Sequence, residues 1–381
     1  MVIRRHWIQL IEQAWSERNL IWLSGVRRVG KTCLCQSLDE VVYHDCELPR
    51  TRMKLEDPEG FLEENSGKRI ILDEVHRLDN PSELLKIAAD HFKQTKVLAT
   101  GSSTLGASSK FKDTLTGRKR DIWLTPMILE DMRAFGKQGW DHRFLRGGLP
   151  DFYNSMDYPE KDYIEWLDAY WAKDIQELYR LEKKDSFVTF FALLMQQSGG
   201  LFEAASIAGN CGASRTTLQN YLRVLEDTYV VTVLRPFFSN KTREITSAPK
   251  VYGFDTGFVA FNKGWTNIPP EHRGLMWEHI VLNELLATGM RDRLRYWRTK
   301  QKREVDFVLI RRGKQPVAIE CKWNIKNESD ADGLVKFAEF YPEARLVLVA
   351  HNLSEPYKRT YKGVPIEFVN LAHLERKLHD A

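Results

Sequence analysis

Gly25-Val26-Arg27-Arg28-Val29-Gly30-Lys31-Thr32 matches the spacing G-x-x-x-x-G-K-[ST] without a departure. Residue types in that order do phosphate chemistry. The glycines let backbone N–H groups turn inward around an oxyanion, and a helix starting at the lysine offers its positive end. Lys31 is expected to reach the β and γ phosphates, and the Thr32 hydroxyl to ligate a magnesium ion that keeps several waters. A second set, Ile70-Ile71-Leu72-Asp73-Glu74, is an apolar run ending in two carboxylates. Asp73 is placed to hold the magnesium water shell, and Glu74 to polarise the water that attacks in line. In Val97-Leu98-Ala99-Thr100-Gly101-Ser102 a third run ends in hydroxyls, with Ser102 a candidate for meeting the γ-phosphate. An ordinary strand-to-turn junction has the same composition. The expected ligand of the three sets together is ATP with Mg²⁺.

Two further groups could do chemistry. Asp306 and the run Glu320-Cys321-Lys322 lie on two successive apolar stretches, and Glu320 and Lys322 share one side of a strand. Two carboxylates able to share Mg²⁺ or Mn²⁺, beside a lysine that can steady a metal-bound hydroxide, make a metal-assisted hydrolase site. Glu278, upstream in Met276-Trp277-Glu278-His279, is a further candidate metal ligand. The alternatives are solvated charges on an edge strand, or the same fold with an inactive site used for binding only. The second group is Arg215, Gln219 and Arg223 in the stretch Ser214–Glu226. Ser214 suits an N-cap, and Leu218, Tyr221, Leu222 and Leu225 recur on one helical face. The opposite face carries side chains able to meet phosphates or base edges. A face used for contact between domains has the same pattern.

Behind these residues, apolar strands alternate with helical stretches from Leu20 to about Trp123, which predicts a parallel sheet with crossover helices at residues 1–130. Residues 131–185 read as a helical lid or linker, broken most clearly at Arg146-Gly147-Gly148-Leu149-Pro150. Residues 186–245 read as helix, turn, helix and a β-rich wing. From 246 to 381 apolar strands return, Val251–Phe261 among them, as a second α/β domain.

Bulk composition agrees with several domains in 381 residues, 43% hydrophobic and 28% charged. No apolar run approaches bilayer length, and the N-terminus lacks a signal-peptide pattern, so no membrane and a cytoplasmic location are expected. Five cysteines without paired spacing indicate neither a disulfide framework nor a zinc site. Net charge is only +4, but Arg291 to Lys322 holds eleven basic and four acidic residues, a bias that phosphate backbones attract.

The motifs of the first 150 residues resemble the AAA-like and STAND-like P-loop ATPases of bacteria and archaea. That resemblance implies a γ-phosphate sensor or arginine finger at Arg118, in the pair Gly117-Arg118, and a lid turn at Gly148-Leu149-Pro150. Residues 214–226 are similar to a winged helix. Asp306, Glu320 and Lys322, with Glu278, resemble the PD-(D/E)XK restriction-endonuclease-like nucleases, without the usual preceding proline. The whole order resembles a prokaryotic family of ATPases fused to a nuclease-like domain. It implies an ATP hydrolase acting on DNA, with a metal-dependent nuclease at the C-terminus and a homo-oligomer or protein partner. The alternative is a regulatory nucleotide switch controlling a protein partner, with an inactive nuclease-like scaffold.

Overall fold

The computed structural model describes residues 2–102, 105–106, 108–136, 138–176, 179, 181, 183–238 and 248–374. The chain divides into two units, the first drawing on residues 1–138, 149–184 and 223–230, the second on 139–148, 185–222 and 231–381.

In the first unit five strands, β1 (Leu20–Ser24), β2 (Val41–Asp45), β3 (Arg69–Asp73), β4 (Lys96–Thr100) and β5 (Lys119–Trp123), form one sheet in the order β2-β3-β4-β1-β5. Every pairing is parallel, with Leu20 opposite both Val97 and Lys119. Strands covered on both faces read as unbroken apolar runs, and all five residues of β1 are buried. The crossover helix Pro81–His91 starts with proline at its first position and Glu83 in its first turn, both favourable at a helix N-terminus. Its Leu84, Leu85 and Ala88 join Trp22, Ile70, Leu72 and Val97 in one core. The helix Arg5–Glu17 buries Trp7, Ile11, Ala14 and Trp15, a stripe at helical spacing. Because the strands run parallel, Ser24, Asp73 and Thr100 all end at one edge of the sheet, where ligands of open α/β sheets bind.

The second unit begins with helix-rich chain. Helix Ala204–Cys211 stops at Gly212, whose left-handed φ of 57° suits a residue without Cβ. Helix Arg215–Asp227 follows, its residues from 223 on counted with the first unit, and is capped by Ser214, whose Oγ accepts the Thr217 N–H at 3.1 Å. The strands β6 (Gly200–Leu201), β7 (Val231–Leu234) and β8 (Lys250–Gly253) make an antiparallel sheet in the order β6-β8-β7. The strand expected over Val251–Phe261 is shorter than that: β8 ends at Gly253 and a helix, Thr256–Asn262, takes over. Asp255 turns the chain by accepting the Gly257 N–H at 2.9 Å as N-cap.

A six-stranded mixed sheet completes this unit, in the order β13-β14-β12-β11-β10-β9. Its members are β9 (Leu294–Arg298), β10 (Glu304–Leu309), β11 (Val317–Lys322), β12 (Arg345–Ala350), β13 (Tyr357–Tyr361) and β14 (Val364–Val369). Leu334 and Phe337 of helix Asp332–Phe340 pack on Val305, Val308, Ala318 and Leu348. The fold class is therefore α/β, a P-loop type of parallel sheet plus a separate mixed-sheet unit. Among the described residues, no helix is long and apolar enough to cross a membrane.

Candidate functional site

The loop between β1 and helix Lys31–Gln36 wraps a cavity of about 480 Å³, whose walls include Gly25, Arg27 to Thr32, Glu74, His76 and Ser102. Gly25 has φ 154°, and a Cβ there would stand 2.6 Å from the Leu124 carbonyl oxygen, so the turn tolerates no side chain. Lys31 Nζ donates to the Gly25 and Val26 carbonyls at 3.0 and 3.3 Å. Burial pushes its pKa down, against the charges of Glu74, Asp174 and Asp73. Val26 contributes its carbonyl and keeps its side chain in the core.

Asp73 is buried beneath the loop and held on both oxygens. Tyr43 Oη donates to Oδ2 at 2.6 Å, and Thr100 Oγ1 donates to Oδ1. The same Thr100 oxygen accepts the Glu74 N–H at 3.1 Å, which helps to fix Glu74 in its left-handed conformation, φ 56°. Burial works to raise the Glu74 carboxyl, but its hydrogen bond to His76 and the Lys31 charge outweigh it and hold it below its ordinary value. His76 Nδ1 lies 3.0 Å from Glu74 Oε2, to which it donates when it carries a proton, and 3.2 Å from the Ser102 nitrogen, whose N–H it accepts when it does not. A single ring nitrogen can serve only one of those at a time, so the His76 tautomer decides whether Glu74 is engaged. Thr32 and Glu74 line the cavity with hard oxygens and Asp73 lies just behind, a donor set that fits Mg²⁺.

In the second unit β10 and β11 pair antiparallel, Phe307 opposite Ile319 and Leu309 opposite Val317. Continuing that register sets Asp306 opposite Glu320, on one face. The ladder stops there, and the Cys321 N–H donates to Asp306 Oδ2 at 2.8 Å. Glu320 Oε1 takes Lys322 Nζ at 2.7 Å, while its Oε2 is buried without a hydrogen-bond partner. Glu278 accepts from Tyr252 Oη and, at 3.4 Å, from Lys250 Nζ. Lys250 also pairs with Glu304, which Arg298 approaches at 3.2 Å. Burial, reinforced by the Asp306 charge, pushes the Glu278 carboxyl up to about 7, and burial raises Asp306 and Glu320 as well. Among the described residues, no three His, Cys, Asp or Glu side chains are placed to hold a metal ion together. The shared Mg²⁺ or Mn²⁺ expected at Glu278, Asp306 and Glu320 therefore finds no ready-made ligand group here: Asp306 Oδ2, Glu320 Oε1 and Glu278 Oε1 are taken by neighbours, and Glu320 Oε2 alone is left over. Arg215, Gln219 and Arg223 are all exposed, spaced four residues apart along one helix face.

Residues 17–132 match the family described as an AAA domain. The first unit carries an AAA-type, ATPase-like domain. Residues 137–268 and 273–369 match two families described as domains of unknown function, DUF8612 and DUF4143. Uncharacterized proteins of Mycobacterium tuberculosis and Mycobacterium bovis are each 28% identical over 335 residues, 84% of this chain and 74% of theirs. Among solved structures, a Walker-type ATPase of Pyrococcus abyssi is similar at 13% identity and a TM-score of 0.44, over 69% of this chain and 96% of that one. The Thermococcus gammatolerans McrB AAA+ assembly with bound McrC is similar at 11% identity and a TM-score of 0.28, over 69% of this chain and 80% of that one.

Within the AAA domain one expected site residue stands apart from this chain's own cavity. Arg118 does not line the cavity. It immediately precedes β5, whose Lys119 stands opposite Leu20 at the start of β1. Five residues of parallel strand, roughly 16 Å, therefore separate it from the loop at the other end of β1. There Arg118 Nε bonds Asp90 Oδ1 at 2.7 Å. Sequence reasoning also overlooks partners of the AAA domain's loop. Arg27 Nε bonds Asp174 Oδ2 at 3.0 Å, Trp166 Nε1 donates to the Arg27 carbonyl at 3.0 Å, and Pro150, Asp151, Asn154, Lys173 and Asp174 line the cavity. The proline in Gly148-Leu149-Pro150 was a signal; nothing in the spacing pointed to Asp174.

Proposed function

We propose that the chain hydrolyses Mg-ATP at the AAA domain and couples that cycle to DNA. One observation carries the first half: Lys31, Thr32 and Glu74 converge on a single cavity, with Asp73 pinned behind them by Tyr43 and Thr100. Backbone N–H groups of the loop and Lys31 bind the β and γ phosphates. Thr32, with Asp73 behind it, would hold the Mg²⁺, which would supply charge neutralisation to the phosphates. Glu74 is ionised at neutral pH because its pKa is held down, so it can orient a water for in-line attack.

The DNA half is supported by the helix order and the β6-β8-β7 sheet, which suit a winged helix, and by the exposed face of Arg215, Gln219 and Arg223. A second reading, a nucleotide switch for a protein partner, is favoured by Glu278, Glu304 and Glu320 of the C-terminal unit each being paired with a lysine of the same chain. One assay separates the two: steady-state ATP turnover with and without duplex and single-stranded DNA. Stimulation that disappears when Arg215, Gln219 and Arg223 are all replaced by Ala supports DNA as the partner. Turnover indifferent to every DNA form refutes it and leaves the switch.

A further inference from the structure

Lys250 opens β8 and is 4% exposed. An ammonium taken out of water costs several kcal/mol in effective terms, so a lysine stays charged there only where acceptors surround it. Its Nζ has three protons to donate. Glu304 takes one, and Tyr252 Oη at 3.3 Å and Glu278 Oε1 at 3.4 Å complete the set. Among the neighbouring charges, Lys250 is also the leading favourable one acting on Asp306. The three carboxylates come from helix Arg273–Ala287 and from two positions on β10, so one buried ammonium ties two elements to β8.

We propose that Lys250 is the resident cation of this cluster, holding Glu278, Glu304 and Asp306 together in place of a divalent metal, so that the second unit keeps its form without one. Carboxylates that face one another in a buried site need a counter-ion, and either a lysine or a divalent cation can supply it. The two exclude each other. A second cation among the same oxygens meets the repulsion of the first at hydrogen-bond range. Magnesium also demands near-octahedral oxygen geometry at about 2.0–2.1 Å, which oxygens already spent on Lys250 and Tyr252 do not offer. The remaining charges balance in the same internal way, with Arg298 on Glu304 and Lys322 on Glu320. Burial works to lower the Lys250 pKa, but Tyr252, Glu278, Asp306 and Glu304 outweigh it and keep the side chain protonated.

The test is Mn²⁺ uptake by the nucleotide-free full-length chain, followed by electron paramagnetic resonance of free Mn²⁺. The wild-type chain is expected to show no uptake that Asp306→Asn removes, and its melting temperature should not respond to EDTA. Lys250→Met, which keeps length and removes charge, is expected to gain about one Mn²⁺ per chain, lost again when Asp306→Asn is added. Lys250→Arg should fold and stay free of Mn²⁺. If Lys250→Met does not fold, the comparison of wild type with Asp306→Asn decides alone. The proposal is overturned if wild type binds Mn²⁺ in an Asp306-dependent way, or if folded Lys250→Met takes up none.

Discussion

Thr100 is fully buried at the end of β4, and its hydroxyl does two things at once. It donates to Asp73 Oδ1 and accepts the Glu74 N–H at 3.1 Å. Thr100→Val removes both bonds while nearly keeping shape, so no cavity opens and the strand keeps a β-branched residue. A hydrogen bond to a charged group is worth about 1.5–3 kcal/mol, and an orphaned buried N–H costs about 1–3 kcal/mol. The second cost falls on stability. Where the first is felt in the transition state, because Asp73 and Glu74 no longer hold their places, turnover falls by about 10- to 150-fold, at roughly 1.4 kcal/mol per factor of ten. The Michaelis constant for ATP should hardly move, since Lys31 and the loop are untouched. Thr100→Ser, which restores the hydroxyl, should recover most of the rate. The assay is steady-state ATP hydrolysis on variants whose folding is checked by circular dichroism. A Thr100→Val turnover within about twofold of wild type would refute the reasoning, because then neither bond positions the catalytic carboxylates.

Gly25→Ala should abolish binding of a fluorescent ATP analogue, because the new Cβ would stand 2.6 Å from the immobile Leu124 carbonyl at a φ of 154°; wild-type affinity would contradict this. Asp255 accepts N–H bonds from Gly148 at 2.6 Å and Gly257 at 2.9 Å and faces Arg143 at 3.7 Å, all buried. Asp255→Ala should therefore lower stability by about 3–5 kcal/mol in urea unfolding, with Asp255→Asn milder. Glu278 has a native pKa raised to about 7 by burial and by Asp306, so the folded chain keeps a proton there that the unfolded chain releases nearer its ordinary value. Its contribution is fully present at acid pH and is lost as pH rises through about 7, so the stability difference between Glu278→Gln and wild type should shift in favour of the variant between pH 5 and 8. A difference that does not change with pH would show that Glu278 titrates normally.

The parts of this protein legible from its sequence are those whose meaning is local. Gly25 to Thr32 carries its own geometry, and the apolar run ending in Asp73-Glu74 announces both a buried strand and its carboxylates. The amphipathic face of residues 215–227 likewise carries its own period. What stayed hidden depends on partners far along the chain. Asp174 is separated by 147 positions from the Arg27 it bonds, and Tyr43 by 30 from Asp73. Lys250 reads as one more basic residue beside a turn, and only the pairing of β8 with its neighbours buries it among acids. Arg118 stands away from its own chain's cavity for a different reason: it is close in sequence to the third motif, but a parallel strand begins at the opposite edge of the sheet from where its neighbour ends.

The central claim is that Lys31 and Glu74 serve one Mg-ATP cycle in different roles. Parallel measurement of ATP affinity and ATP turnover for wild type, Lys31→Ala and Glu74→Gln tests it most directly. Lys31→Ala should lose most affinity, while Glu74→Gln should bind ATP as wild type does and turn it over at least about 100-fold more slowly. Normal turnover by Glu74→Gln, or unchanged affinity in Lys31→Ala, would contradict the account.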